Sequence, residues 1–429
     1  MGRGTGVLVA ITCNSELQRP RMAETEKGIR LNGRYYPAEA FKSLDARGRG
    51  RGRSNPSGDD GKGERLAEGL STFQAEGLST FQADGIPDAV VEFLRQWWSP
   101  HTYITAHTSG STGRPRAIRL SRTRMRASAQ LTADFFQFTP GMPALLALDA
   151  RHIAGKMMLV RAMISQLDLW VAPPSSRPDL LYPRQTFAFC PLVPTQLWRL
   201  LDAGADIERL GTLLLGAAPI VTEHLINLGS LHQEVFQGFG MTETCSHMAM
   251  RRLHPMGDGI YRGLPGVQWR VDRAGCLHLR GAATAHRWVH TNDRVEPVAD
   301  GFRWLGRADW VINVGGIKVH PESVEERLST LRRHIPELDG LLTGDFVVVG
   351  QSDPYKAEVP VCVVEDPTAN YSPQNPNAAQ IDPRYSPDWL KAHLKPEELP
   401  RKLLRIPQFP RSSLGKILRH HLSEKASVF

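Results

Sequence analysis

Between Thr102 and Leu305, short apolar runs (TYITAHT, ALLALD, LWVA, FAFCPL, LGTLLLG, EVFQGFG) alternate with stretches of helical periodicity such as Thr123 to Phe136 and Thr195 to Ala203. No other feature restricts the fold as much. Short runs without polar alternation suit strands buried on both faces, and the helices between them supply the crossovers of a largely parallel sheet. The pattern predicts an α/β domain whose ligands sit in loops beyond the strand ends. After Gly306 the chain changes character. HPESVEERLSTLRRH reads as a helix, FVVVG and PVCVVE as strands, residues 366 to 388 as a polar insertion, and a short helix follows Gly415. Residues 307–429 are therefore expected to form a smaller α+β domain beside a large domain of 86–306.

The first 85 residues read as accessory. Residues 29 to 43 predict a strand, a turn at Asn32-Gly33, a second strand and a helix beginning near Pro37. From Asp45 to Arg65 there is no apolar residue larger than alanine, so the run cannot offset its ordering entropy and reads as a flexible linker. An identical octapeptide, AEGLSTFQ, follows twice, at 67–74 and 75–82, too short to be a solenoid repeat. Order resumes at Pro87 with a helix whose apolar face is Val90, Val91, Leu94, Trp97 and Trp98.

Composition narrows the partners. The net charge of +8 favours polyanions, whether nucleic acid, phosphate-rich cofactors or acidic substrates. The five cysteines, Cys13, Cys190, Cys245, Cys276 and Cys362, are an odd number lying far apart without a C-x-x-C pair, which indicates neither a disulfide framework nor a cysteine zinc site and points to a reducing, cytoplasmic setting. No apolar run reaches the length of a membrane span. The oligomeric state is left open, a homo-oligomer being compatible with the sequence.

The strongest local signal is TSGSTGRPR, Thr108 to Arg116, directly after a predicted strand. Gly110 and Gly113 let backbone amides turn inward together, Thr108, Ser109, Ser111 and Thr112 add hydroxyls, and Arg114 and Arg116 add charge. Such a loop suits an oligophosphate. It lacks the G-K-[ST] of a Walker A loop and the G-x-S-x-G of a nucleophile elbow.

TSGSTGRPR resembles the phosphate loop of the adenylate-forming superfamily of acyl-CoA synthetases, luciferases and peptide-synthetase adenylation domains, and further motifs follow in that superfamily's order. The resemblance implies a large α/β adenylate-forming domain with a mobile α+β carboxy-terminal lid, and an enzyme using ATP, Mg²⁺ and coenzyme A. GAAPI is similar to the adenine-binding turn, placing Gly216, Ala217 and Ala218 against the base. GFGMTET implies that Phe239, Gly240 and Met241 border the nucleotide, that Thr242 bonds a phosphate oxygen and that Glu243 holds the metal. Asp293 of Thr291-Asn292-Asp293 is the implied ribose ligand. In GRADWVINVGGIKVHPESVE, Arg307 is implied to reach the ribose or α-phosphate, Asp309 to be the hinge, and Gly315-Gly316 to swing towards the thiol acceptor. Lys416 in PRSSLGKILR is the implied lid lysine of adenylation. Three departures stand out: Arg116 replaces a usual lysine, Trp310 follows the hinge aspartate where an acidic or polar residue is common, and Ala357 occupies a usual glycine in GQSDPYKAE.

The short amino-terminal portion, with HTSGSTGRPR, HIAGKMMLVRAM and NVGGIKVHPESVEE, is similar to the compact bacterial o-succinylbenzoate CoA ligases of menaquinone biosynthesis. That likeness implies activation of the acid as an acyl-adenylate and its transfer to CoA. The substrate keeps a second, aromatic carboxylate, and DARHIAGKMMLVRAM carries Arg151, His152, Lys156 and Arg161 near the implied acyl pocket. Lys156 or Arg151 is the expected partner of that carboxylate, with His152 and His247 as further substrate candidates. An aryl- or medium-chain acyl-CoA ligase of other specificity is the alternative. A nucleic-acid-binding protein with a degenerate ligase fold is the remoter one, since ARGRGRGR lacks interleaved aromatics.

Overall fold

Asn32 and Gly33 both take left-handed backbone angles (φ 49° and 79°), the combination a tight two-residue hairpin turn requires. They join β1 (Gly28–Leu31) to β2 (Arg34–Pro37), after which α1 (Ala38–Lys42) begins. The computed structural model describes residues 27–42, 81, 84–108, 116–216, 220, 227–368, 380–412 and 416–426. The expected linker, the octapeptide repeat apart from Phe81, and loop residues 109–115 lie outside the described residues. The hairpin is more than an accessory. β1 runs parallel to β6 (Asp168–Val171), so the amino-terminal segment extends the main sheet, and Phe81 stacks on Phe41 at 5.0 Å.

The alternating segments build that sheet. β5 (Pro143–Leu146), β6, β7 (Phe189–Leu192), β8 (Thr212–Leu215) and β9 (Val235–Met241) form its parallel centre; β10 (Ser246–His254) and β11 (Arg262–Gly263) close one edge antiparallel. The nine-stranded order is β11-β10-β9-β8-β7-β5-β6-β1-β2. Both faces are covered, as the unbroken apolar runs required. Leu214 packs into the core formed with α2 (Asp88–Trp98), α3 (Arg122–Phe136) and α4 (Ile153–Ser165), whereas Leu213 and Leu215 pack on the opposite side with Leu197 and Leu200 of α5 (Pro194–Asp202). Truncating any of these leucines to alanine would cost about 2–5 kcal/mol.

The run TYITAH forms β3 (Tyr103–His107), but it does not enter the main sheet. It pairs with β4 (Ala117–Ser121) in a separate hairpin that carries the glycine-rich loop at its tip. A whole sheet escaped the sequence reading: β12 (Gln268–Val271), β13 (Cys276–Arg280), β14 (Val289–Val298) and β15 (Gly301–Arg307), antiparallel in that order.

The carboxy-terminal sheet holds β16 (Ile312–Val314), β17 (Ile317–Val319), β18 (Phe346–Asp353), β19 (Ala357–Glu365), β20 (Gln380–Ile381) and β21 (Leu403–Ile406). α6 (Pro321–Leu331) and α7 (Arg419–Ala426) pack on β18. A second apolar core, including Val324, Leu328, Val348 and Leu403, lies under α6. Among the described residues no helix is long and apolar enough to cross a membrane, and the four described cysteines are buried and unpaired.

Candidate active site

The parallel strands β5, β7, β8 and β9 end on one side of the sheet, and their carboxy-terminal residues open onto a cleft of about 590 Å³. Leu148, Leu192, Val193 and Gly216 supply its floor, with the chain from Gln237 to Glu243 along one wall. This is where an open α/β sheet places its ligands. The opposite wall comes from β14 and β15 through His290 to Asp293, Trp304 and Arg307, and Trp310 and Lys416 close it. Thr108 and Arg116 stand at the rim and tie the neck of the glycine-rich loop, Arg116 N donating to Thr108 Oγ1 at 3.1 Å and Thr108 N to the Arg116 carbonyl at 3.0 Å.

The turn bearing Thr242 and Glu243 is fixed from several sides. A Cβ on Gly240 would meet the Ser246 carbonyl oxygen at 2.1 Å, so only glycine lets β9 and β10 approach this closely. The Thr244 hydroxyl accepts from Met241 N at 2.9 Å, and the Arg124 guanidinium donates to the Glu243 carbonyl. Phe239 is held edge-on between Tyr261 and Phe302. The Glu243 carboxylate has no hydrogen bond or ion pair among the described residues and faces the cleft. A half-buried carboxylate left unpaired beside a phosphate loop fits a magnesium ion, a hard cation that takes oxygen ligands.

Asp293 is nearly buried; one oxygen accepts from Trp304 Nε1 at 2.9 Å and the other lies 3.8 Å from Arg307 Nη1. Burial pushes its carboxyl above the usual range, opposed by the Trp304 hydrogen bond and by Arg307. Arg307 also pairs with Asp309 at 2.9 Å. Lys416 makes no ion pair with a described residue; its Nζ lies 5.3 Å from the centre of the Trp310 ring. Burial, then the neighbouring Arg307 cation, lowers its pKa. The carboxy-terminal domain is joined to β14 and β15 by Arg307 N donating to Glu322 Oε1 (3.2 Å) and by Arg294 Nη1 against His320 Nε2 (2.8 Å).

At the other end of the cleft, the fully buried Arg161 projects from α4. Its Nε donates to Thr132 Oγ1 (3.1 Å) and its Nη2 to Ser246 Oγ (3.2 Å), and among the described residues no carboxylate pairs with it. Burial pulls its pKa down to about 9, so it stays cationic at neutral pH. His247, 2.9 Å from Thr132 Oγ1, is held neutral by burial and by Arg161. Ser246 sits at φ 101°, an uncommon angle for a residue with a side chain, and it turns the hydroxyl towards Arg161 and the cleft.

The structure thus brings Thr108, Arg116, His152, Gly216, Phe239, Gly240, Met241, Thr242, Glu243, His247, Asp293, Arg307 and Lys416 to one cleft. Ser109, Gly110, Ser111, Thr112, Gly113, Ala217 and Ala218 lie outside the described residues. The expectation for Arg151 and Lys156 is corrected: neither lines the cleft. Arg151 is exposed and bound to Asp149 (2.6 Å), while Lys156 donates to the Ala150 carbonyl (2.9 Å) and sits over Phe93, behind the wall. For Lys156 helix phase explains it, because Lys156 and Arg161 are five residues apart on α4 and project in different directions, whereas Arg151 precedes the helix and is held by Asp149. Gly315 and Gly316 form the exposed turn between β16 and β17, away from the cleft, at φ 59° and 93°. Sequence reasoning passed over Trp304, Ser246 and Arg124. Arg161 did carry a signal, a lone charge inside the apolar run MMLVRAM.

A parallel sheet and a carboxy-terminal sheet domain that bring Lys416, Glu243 and Asp293 to one cleft are the architecture of an adenylate-forming enzyme. The AMP-binding enzyme family model matches residues 64–278, and the chain belongs to that family of AMP-forming ligases. It is 32% identical to the acyl-CoA synthetase (AMP-forming)/AMP-acid ligase II-like protein of Dyadobacter fermentans, over 79% of this chain and 94% of that one, with a TM-score of 0.50. The o-succinylbenzoate coenzyme A synthetase of Bacillus subtilis, in complex with ATP and magnesium ion, shares the fold at a TM-score of 0.61 and 23% identity, over 74% of this chain and 69% of that one. Among curated relatives, the 2-succinylbenzoate–CoA ligase of Salmonella typhimurium is 27% identical over 76% of this chain and 70% of its own length. The probable 2-succinylbenzoate–CoA ligase of Mycobacterium tuberculosis is 30% identical over 52% and 62%.

Proposed function

We propose that this chain is an ATP-dependent o-succinylbenzoate–CoA ligase serving menaquinone synthesis. Its large domain would span about 86–306 together with the amino-terminal hairpin, and its lid 307–429. The observation that carries the substrate is Arg161. A buried cation without a counter-charge is expensive to maintain, and a ligand carboxylate removes that cost. One end of the cleft therefore fits an acid with a second carboxylate, while the other carries the groups an acyl-adenylate needs. The relatives named as 2-succinylbenzoate–CoA ligases agree with this choice.

In the first half-reaction the reacting carboxylate attacks the α-phosphorus of ATP and pyrophosphate leaves. Gly216 and Phe239 border the base, Asp293 accepts the ribose hydroxyls, and Arg307 stands beside it to reach the ribose or α-phosphate. Thr242 donates to a phosphate oxygen, and Thr108 and Arg116 hold the loop over the phosphates. Lys416 neutralises charge that grows on the α-phosphate as the bond forms. Magnesium, held by Glu243, would supply positive charge to the phosphate oxygens. For the second half-reaction the lid turns about Asp309, withdraws Lys416 and brings the Gly315-Gly316 turn to the site, where the CoA thiol displaces AMP. The cross-hinge contacts of Glu322 and His320 must break in that motion.

An acid panel tests the reading. With ATP and CoA, pyrophosphate release and CoA consumption should be fastest with o-succinylbenzoate. An equal or faster rate with benzoate or octanoate would replace it by a ligase of other specificity.

A further inference from the structure

Trp310 departs from its family's pattern beside the hinge, and the structure gives it a use. It closes the short 3-10 turn Ala308–Trp310 and lines the cleft half-buried. Three cations lie within cation–π range of its ring: Arg419 at 4.9 Å, Lys416 at 5.3 Å and Arg307 at 5.6 Å. They are not equivalent. Arg419 is neutralised by Glu325, which takes both of its terminal nitrogens, and Arg307 by Asp309 and the more distant Asp293. Lys416 has no such partner among the described residues, and Trp310 supplies the attraction that a carboxylate would otherwise supply.

We propose that Trp310 is a positioning residue for adenylation, its indole face holding the Lys416 ammonium in the cleft without spending the charge. The distinction is chemical. A carboxylate at this position would accept the ammonium hydrogens and cancel the charge that the α-phosphate requires. An aromatic quadrupole attracts the cation but presents no lone pair, so the N–H donors stay free for phosphate oxygens. The flexible four-carbon stem of lysine makes such a restraint useful, since each rotamer that leaves the cleft is unproductive. The backbone on either side of the lysine is already fixed, with Lys416 N donating to Ser412 Oγ (3.2 Å), Ser412 N to the Lys416 carbonyl (2.8 Å), and Arg411 bridged to Ile417. The side chain is the part still to be placed. Trp310 follows the hinge residue directly, so the ring sits where the lid's rotation begins, and it contacts Arg307 on one side of the pivot and Lys416 and Arg419 on the other.

This inference rests on the role given to Lys416, and the experiment separates the two. Full-length Trp310→Leu, Trp310→Phe and Lys416→Ala are compared in pyrophosphate release with ATP and o-succinylbenzoate, and in CoA thiolysis of pre-made acyl-adenylate. Trp310→Leu should lower kcat for pyrophosphate release about tenfold, within the roughly twofold to thirtyfold that a cation–π contact supplies. Its KM for ATP and its thiolysis rate should stay near wild type, and Trp310→Phe, which keeps a π face, should recover most of the loss. The ring favours the charged lysine, so the alkaline limb of the adenylation pH profile should move to lower pH in Trp310→Leu and stay in place in Trp310→Phe. The groups facing the ammonium there are Arg307, Asp293, Asp309 and Arg419. Lys416→Ala should abolish adenylation and spare thiolysis. If Lys416→Ala adenylates normally, the reading of Lys416 fails and takes this inference with it. If Lys416→Ala behaves as expected while Trp310→Leu adenylates at the wild-type rate, loses both half-reactions alike, or is not rescued by phenylalanine, only the inference is overturned.

Discussion

Replacing Arg161 by methionine should change what the enzyme accepts while barely changing how well it folds. The fall of its pKa to about 9 from arginine's ordinary value corresponds to about 5 kcal/mol against the charged form. Methionine removes that penalty and fills a similar volume. It also deletes the hydrogen bonds to Thr132 and Ser246, each worth about 1.5–3 kcal/mol when the donor is charged. The two sums nearly cancel, so the melting temperature of Arg161→Met should lie within a few degrees of wild type. Catalysis has no such cancellation. A buried guanidinium–carboxylate pair lost from one side costs about 2–5 kcal/mol, and 3 kcal/mol is about 150-fold in kcat/KM. The assay uses two acids, o-succinylbenzoate and 3-benzoylpropionate, which differ only by the aromatic carboxylate. Wild type should prefer the first by about a hundredfold or more, and Arg161→Met should lose most of that preference by losing rate on o-succinylbenzoate alone. Equal losses on both acids, or a wild type indifferent to the aromatic carboxylate, would refute the assignment of Arg161.

Other outcomes follow from the same geometry. The alkaline limb of the adenylation rate should fall below the ordinary lysine range, because burial and Arg307 lower the Lys416 pKa and the reaction needs the protonated form; a pH series of pyrophosphate release checks this. Asp293→Asn should raise KM for ATP about tenfold or more with a smaller effect on KM for the acid, since it weakens the pairing with ribose hydroxyls. Glu243→Gln should raise the magnesium concentration needed for half-maximal rate, read from a magnesium titration at fixed ATP. In the lid, Arg405 holds Asp382 (2.6 Å), Asp366 (2.8 Å) and the Leu341 carbonyl (2.9 Å), so Arg405→Met should destabilise by about 1.5–3 kcal/mol in denaturant unfolding, because it removes charge-assisted hydrogen bonds from the buried Asp382 while Arg384 still pairs with it at 2.7 Å. Asp382 is held far below the usual carboxylate range, first by Arg384 and also by Arg405, despite its burial. That stability is present above the ordinary aspartate pKa and is lost only as pH falls through the depressed one, so acid unfolding should begin at higher pH in Arg405→Met.

The parallel core was legible because strands buried on both faces admit little besides apolar residues, as Leu213, Leu214 and Leu215 show by packing on alternate sides. The hairpin at Asn32-Gly33 was legible because few residues tolerate two left-handed angles in succession. The four-stranded sheet was not. QWRV keeps Gln268 and Arg270 towards solvent, and CLHLR buries a histidine, His278, against Asp272, so neither reads as an apolar strand and both merge with loop sequence. The pairing of β1 with β6 could not be read either, since Leu31 and its partner Leu169 lie 138 positions apart, and nothing local encodes a contact at that range. At the site, the convergence of Thr242, Glu243, Asp293, Arg307 and Lys416 on one cleft was legible because each stands in a short motif. The residues that aim them, such as Trp304 on Asp293 and Arg124 on the Glu243 carbonyl, are set by tertiary packing and leave no local trace.

The positive charge of the chain finds a local counterpart in the cleft. Arg116, Arg161, Arg307 and Lys416 face it against two carboxylates, Glu243 and Asp293. Arg307 is paired with Asp309, but Arg161 and Lys416 are held against their charge: burial lowers the pKa of both, and Arg307 adds to the effect on Lys416. Groups held this way stabilise the folded chain least when the site is empty and most when anions fill it. ATP and a dicarboxylic acid bring those anions, and the interaction with Lys416 strengthens further as charge develops at the α-phosphate. The same argument gives a direction to the lid. Once pyrophosphate has left, the cleft holds fewer negative charges, and Lys416 and Arg307 lose part of what keeps them there. Lid opening is then favoured after adenylation and disfavoured before it, without any signal beyond the charge of what remains bound. Adding pyrophosphate should accordingly slow thiolysis of pre-made acyl-adenylate by holding the lid in its adenylation position, an effect that Lys416→Ala should weaken; stopped-flow thiolysis with and without pyrophosphate measures it. Equal inhibition in wild type and Lys416→Ala would show that the lid is governed by something other than this charge balance.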